Sequence, residues 1–131
     1  MSYISHLIEE TGANKNFRKV LFTGDKSQLV LMNILPGESV GGETHEHVEQ
    51  TLFFLSGDGK AILNGIESPI HGGDVVVVTP GTKHNFVNSG STPLQIYTLY
   101  TPPNHIDGRI HATKSDAEAD IVDEEFGEGV E

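Results

Sequence analysis

Between Gly41 and Gly59 the chain reads GGETHEHVEQTLFFLSGDG, which sets Glu43, His45, His47, Glu49 and Gln50 within one eight-residue stretch ahead of an apolar run. Imidazole nitrogens and carboxylate oxygens together suit first-row divalent metals and leave coordination positions open for other oxygens. No cysteine occurs in the 131 residues, so thiolate ligation and disulfides are excluded, and ligands have to come from His, Asp, Glu, Asn, Gln or backbone. The chemistry expected of this stretch is a divalent metal centre built on a β-sheet, where strand ends hold ligands rigidly.

The elements that must position these groups are short strands. Phe17 to Phe22, Gln28 to Leu35, Thr51 to Ser56, Lys60 to Leu63, Ile66 to Ile70, Val75 to Thr79, His84 to Asn88 and Leu94 to Thr101 are apolar, aromatic or β-branched runs. Turn signals separate them: Gly24-Asp25, Pro36-Gly37, Gly57-Asp58-Gly59, Asn64-Gly65, Gly72-Gly73, Pro80-Gly81 and Gly90 to Pro93. Many short strands at steady spacing predict an all-β, antiparallel sandwich or barrel. The spacing of Ile4, Leu7 and Ile8 predicts one short N-terminal helix that packs on the barrel. The nearly continuous apolar run at Gln28–Leu35 predicts a strand covered on both sides, with one side available to a second subunit.

Charge narrows the partners. Eight Lys and Arg against nineteen Asp and Glu give a formal net charge of −11, which repels phosphate backbones and anionic membranes. Neither nucleic acid nor membrane is an expected partner. No leader pattern or membrane-length apolar run is present, and the lack of cysteine fits a reducing compartment, so a cytoplasmic location is expected. Asp116 to Glu131 is dense in acids and has no basic residue, and reads as a solvated or frayed tail after a single domain whose core spans about residues 17–101.

Two spaced patterns carry a resemblance. Gly73, seven residues, Gly81, two residues, His84, three residues and Asn88 form one; Glu43-x-His45, four residues, Gln50, six residues and Gly57 form the other. With these the chain resembles a small single-domain cupin, an RmlC-like jelly-roll barrel or double-stranded β-helix. The resemblance departs at Pro80, one place later than the family pattern, and at Glu43 and Gln50, which stand where the family places a histidine and a glutamate. A second register takes His45-x-His47 as the histidine pair, but then Thr51 or Leu52 falls where the family has its glutamate.

The resemblance implies one divalent ion, Fe, Mn, Ni or Zn, held by Glu43, His45, Gln50 and His84, with His47 as the alternative ligand. Glu43 and His45, two apart on an extended segment, share a face. If Glu43 is not a ligand, it becomes the candidate general base. The loop 102–111 after the last strand is placed to cover the barrel mouth, where His105, Arg109 or His111 would meet a substrate, Arg109 as partner of an anionic group. The implied function is a metal-dependent enzyme of isomerase or dioxygenase type acting on a small oxygenated molecule, in a homodimer. The alternative is a cupin module that binds a small molecule or sugar without catalysis.

Overall fold

The structure, a computed structural model, describes residues 2–130. Nine strands and three helices follow one another as α1 (Leu7–Ala13), β1 (Arg18–Thr23), β2 (Gln28–Ile34), β3 (Glu49–Ser56), β4 (Asp58–Leu63), β5 (Ile66–His71), β6 (Val75–Val78), β7 (His84–Asn88), β8 (Leu94–Thr101), β9 (Ile110–His111), α2 (Lys114–Ala119) and α3 (Ile121–Val130). The strands form a six-stranded sheet in the order β6-β3-β8-β2-β1-β9 and a three-stranded sheet in the order β5-β4-β7, with antiparallel pairing throughout. The antiparallel barrel expected from the strand pattern, of the jelly-roll type implied by the resemblance, is thus the fold. No helix among the described residues is long and apolar enough to cross a membrane.

The core lies between the two sheets. Alternation along β3 turns Gln50, Leu52 and Phe54 inward, and β7 answers with His84, Phe86 and Asn88, so that Phe54 and Phe86 meet at 5.7 Å. Asn64 and Gly65 take positive φ of 49° and 82°, the turn that joins β4 to β5 with matching twist. Gly57, which closes the first motif, has φ of 101°, and a Cβ there would come within 2.8 Å of the Pro93 carbonyl oxygen. The turn expected at Gly57–Gly59 therefore narrows to Gly57, because β4 already begins at Asp58. Asn88 ends the second motif by donating to the Ile34 and Thr92 carbonyls at 2.8 and 2.9 Å, which pins two strand ends together.

Three expectations need correction. The β2 strand is central, paired to β8 on one side and β1 on the other and buried almost throughout, so the Gln28–Leu35 run offers no face to a second subunit. Its outward Asn33 is tied to the Asn14 carbonyl at 3.0 Å just beyond α1. In the N-terminal stripe Leu7 alone is partly buried; Ile4 precedes the helix and is 94% exposed, and Ile8 is exposed as well. The acidic segment is not a frayed tail. It forms α2, opened by a capping box between Thr113 and Asp116, and α3, whose Asp123 and Gly127 are buried. On the barrel, Phe53, Val75 and Val77 are exposed on the outer side of β3 and β6, and α3 leaves Ile121, Val122 and Phe126 exposed.

Candidate metal centre and cavity

Glu43 and His84 are joined by an isolated antiparallel bridge. Glu43 N–H donates to the His84 carbonyl at 2.9 Å, and His84 N–H donates to the Glu43 carbonyl at 2.8 Å. Residues directly opposite in such a pair project to one face, and His45 follows two residues after Glu43 on the same extended stretch. The Gly81 N–H anchors that stretch by donating to the His45 carbonyl at 2.8 Å. The two motifs, far apart in sequence, are therefore stitched by backbone hydrogen bonds before any side chain is considered.

One ligand atom from each of Glu43, His45 and His84 lies within 4.8 Å of the others. His84 Nδ1 is 2.9 Å from the Thr82 carbonyl oxygen. A carbonyl only accepts, so Nδ1 carries the proton in the neutral ring, and Nε2 is the lone-pair nitrogen, the atom that could bind a metal. His45 Nε2 stands 3.0 Å from Glu43 Oε2. Neighbouring ligands about 2.1 Å from one octahedral ion are about 3.0 Å apart, so the spacing suits a shared metal. Two imidazoles, one of them oriented by the Thr82 carbonyl, and one carboxylate make a donor set that fits a divalent ion.

Burial pushes the Glu43 carboxyl upward, but the hydrogen bond with His45 and the positive field of Arg18, His45 and His84 more than offset it, leaving its pKa below the ordinary value. Gln50 is buried on the inward face of β3, and its amide nitrogen donates to the Thr98 hydroxyl at 3.1 Å, which sets the flip of the carboxamide. His47 is exposed and falls outside the Glu43–His45–His84 group.

Beside this group opens a cavity of about 360 Å³, whose wall includes Arg18, Glu43, His45, Asn104, His105 and Asp123. The loop after β8 is fixed there by Gln28, which is wholly buried. Its Oε1 accepts from the backbone N–H of Asn104 and His105 at 3.1 and 2.9 Å, and its Nε2 donates to the His105 carbonyl at 2.7 Å. The His105 ring is held in turn by Asp123 of α3, with Nδ1 2.8 Å from Asp123 Oδ2, while Asp123 Oδ1 accepts from Ile106 N–H at 2.7 Å. Burial lowers the His105 pKa below that of an ordinary histidine, against the raising effect of Asp123. For Asp123 burial acts upward, but the bonds from His105 and Ile106 carry its pKa below the usual range. The ring is thus neutral with its proton on Nδ1.

The other loop residues expected at the mouth stand elsewhere. Arg109 is bound to Asp120 at 2.8 and 3.3 Å, and His111 to the same carboxylate at 2.9 Å; neither lines the cavity. Those bonds hold the Asp120 pKa far below the carboxylate range. His111, Asp120 and Asp123 also come within ligand distance of one another, but Arg109 pairs with Asp120, and the His105 ring and Ile106 N–H occupy the two oxygens of Asp123, so the group latches α2 and α3 to the loop.

Two cations do line the cavity, Lys114 at the start of α2 and Arg18, which is 7% exposed on the inward face of β1. Its signal in the sequence is its position: two residues before Val20 on one strand face, an arginine where the alternation calls for a core residue. Near it Tyr100 is wholly buried, and its hydroxyl pKa is pushed up to about 12 by that burial.

The comparisons agree with this architecture. Residues 30–100 match the cupin domain family. The chain is 38% identical over 124 residues to the uncharacterized protein YrkC of Bacillus subtilis, covering 89% of this chain and 66% of YrkC. The crystal structure of BH2720 from Bacillus halodurans superposes with a TM-score of 0.89 at 34% identity, covering 91% of this chain and 95% of that one. An oxalate-binding protein of Thermotoga maritima is 38% identical over 68 residues, 52% of this chain and 56% of that protein. With a family match across more than half of its length and the barrel those residues build, the chain belongs to the cupin family.

Proposed function

We propose that the protein is a metal-dependent cupin enzyme acting on a small oxygenated molecule. The observation that carries this reading is the convergence of Glu43, His45 and His84, with the His84 ring turned by the Thr82 carbonyl so that Nε2 is the donor. In it Glu43, His45 and His84 hold one ion of Fe, Mn, Ni or Zn, and Gln50 offers its carboxamide oxygen as a fourth ligand. When bound, such an ion supplies Lewis acidity at an oxygen of the captured molecule. With Glu43 spent on ligation, His105 takes the role of proton acceptor. Its Nδ1 proton is committed to Asp123, so its Nε2 is the basic atom, the arrangement a general base requires. Residues of α2 and α3 form part of the cavity wall.

The name of the Thermotoga maritima relative supports a second reading, capture of a small molecule without turnover. The homodimer expected from the family is supported by the exposed strip at Phe53, Val75 and Val77, now that Gln28–Leu35 is enclosed.

The test is elemental analysis of protein purified without chelator, alongside His84→Ala and His47→Ala. About one metal per chain, lost in His84→Ala and kept in His47→Ala, is the expected result. Metal kept in His84→Ala would end this assignment of ligands, and metal lost in His47→Ala alone would move the site to the His45–His47 pair. Turnover of candidate substrates by the loaded protein, abolished in His105→Gln with metal content unchanged, separates enzyme from binding module.

A further inference from the structure

Three buried polar atoms of the described residues have no hydrogen-bond partner and belong to side chains that line the same cavity: Arg18 Nε, His105 Nε2 and Asn104 Oδ1. Each of the three residues is at least nine-tenths buried. Buried donors and acceptors are nearly always paired, so three such atoms around one cavity point to a polar ligand that pairs with them.

The chemistry of the three differs and is informative. Arg18 presents a guanidinium braced over the Phe17 ring at 5.3 Å, and no carboxylate among the described residues forms an ion pair with it. Glu43 and Asp123, the acids that feel the charge of Arg18, are engaged by His45 and by His105 with Ile106. A planar cation whose Nε–H is orphaned matches a carboxylate. His105 Nε2 and Asn104 Oδ1 offer lone pairs, which match a hydroxyl donor rather than a second anion.

We propose that Arg18, His105 and Asn104 form the organic-ligand subsite beside the metal centre, and that its ligand class is a small hydroxycarboxylate, with the carboxylate on Arg18 and a hydroxyl on His105 or Asn104. This rests on the metal-centred reading above. It goes further in fixing the charge and the second functional group of the molecule. The exposed Glu118, Glu124 and Glu128 at the cavity rim exclude large or multiply charged anions.

The experiment is calorimetric titration of glycolate, with propionate and glycerol as probes lacking the hydroxyl or the carboxylate. It is run on wild type, Arg18→Gln and Arg18→Lys, with and without Mn²⁺, and the bound metal is counted in parallel. Glycolate is expected to bind at least about tenfold more tightly than either probe. Arg18→Gln is expected to lose about 10- to 100-fold, the range of a charge-assisted bond, with metal content unchanged. Arg18→Lys, which keeps the charge but not the fork, is expected in between and serves if Arg18→Gln does not fold. Metal bound as in wild type with no glycolate affinity, or affinity indifferent to both Arg18 variants, overturns the subsite. No metal uptake together with Arg18-dependent glycolate binding overturns the metal reading and leaves the subsite standing.

Discussion

Replacing Asp123 with alanine tests whether α2 and α3 are part of the folded cavity. Asp123 is 4% exposed, and its carboxylate accepts from His105 Nδ1 at 2.8 Å and from Ile106 N–H at 2.7 Å. Removal leaves two donors orphaned at about 1–3 kcal/mol each, offset by roughly 0.5 kcal/mol of helix preference gained by alanine, for a net loss of about 2–5 kcal/mol. With 131 residues and about 2.1 cal/mol/K of unfolding entropy per residue, a loss of 1 kcal/mol lowers Tm by about 3–4 °C. The expected fall is therefore about 7–18 °C. A ten-residue helix has little stability of its own, so part of the loss appears locally, as faster amide exchange across 121–130 while β2 and β8 stay protected. Asp116→Ala, which removes half of an exposed capping box, sets the scale at about 1 kcal/mol. Thermal unfolding by circular dichroism and hydrogen exchange by mass spectrometry measure both. An Asp123→Ala protein within about 0.5 kcal/mol of wild type, with unchanged exchange in α3, would refute the anchoring.

Acid should weaken the protein in two stages. A His105 held neutral binds fewer protons folded than unfolded, so its contribution is lost as pH falls below the ordinary histidine value of about 6.5. Glu43 and Asp123, with pKa values below ordinary, keep their contributions above the usual carboxylate range and lose them as pH falls through the lowered values. Exposed His71 acts oppositely through Asp58, stabilising below its ordinary pKa and less as pH rises through the raised one. Urea midpoints from pH 7 to 5 should decline, and His105→Gln should flatten that decline; an unchanged slope removes His105 as its source. Metal at about 100 times its Kd should add about 2.7 kcal/mol, or close to 10 °C in Tm, an increment absent in His84→Ala. If the proposed homodimer forms through the exposed strip, Val77→Lys should leave the fold intact and give a monomer in sedimentation; a monomeric wild type overturns the proposed dimer, and a dimer that persists in Val77→Lys assigns self-association to another face.

The strands were legible because their signals are local. Asn64-Gly65 can adopt the turn it adopts, and alternation along β3 and β7 places Gln50 and His84 inward without reference to distant residues. The motif spacing brought Glu43, His45 and His84 together because the bridge between Glu43 and His84 is backbone pairing, which spacing encodes. Arg18 was missed because its place in the cavity depends on β1 lying beside β2 and β9, and on Tyr100 and Phe17 accepting its side chain. The acidic segment was misjudged on composition for a related reason. Asp120 and Asp123 find their cations and donors in the loop 105–111, and a density of acids says nothing about partners supplied from elsewhere in the chain.

That the last helix walls the cavity bears on how the protein can be handled. Gly127 packs so closely that a Cβ there would lie 3.0 Å from the Asn104 carbonyl oxygen, and Glu128 lines the cavity itself. A hexahistidine tag or fusion partner placed directly after α3 would start within a few residues of the cavity-lining Glu128. A flexible run of imidazoles at that distance is a high local concentration of competing donors. Metal analysis and crystallography therefore call for an N-terminal, cleavable tag, and a discrepancy between C-terminally and N-terminally tagged preparations would report on the site rather than on the buffer.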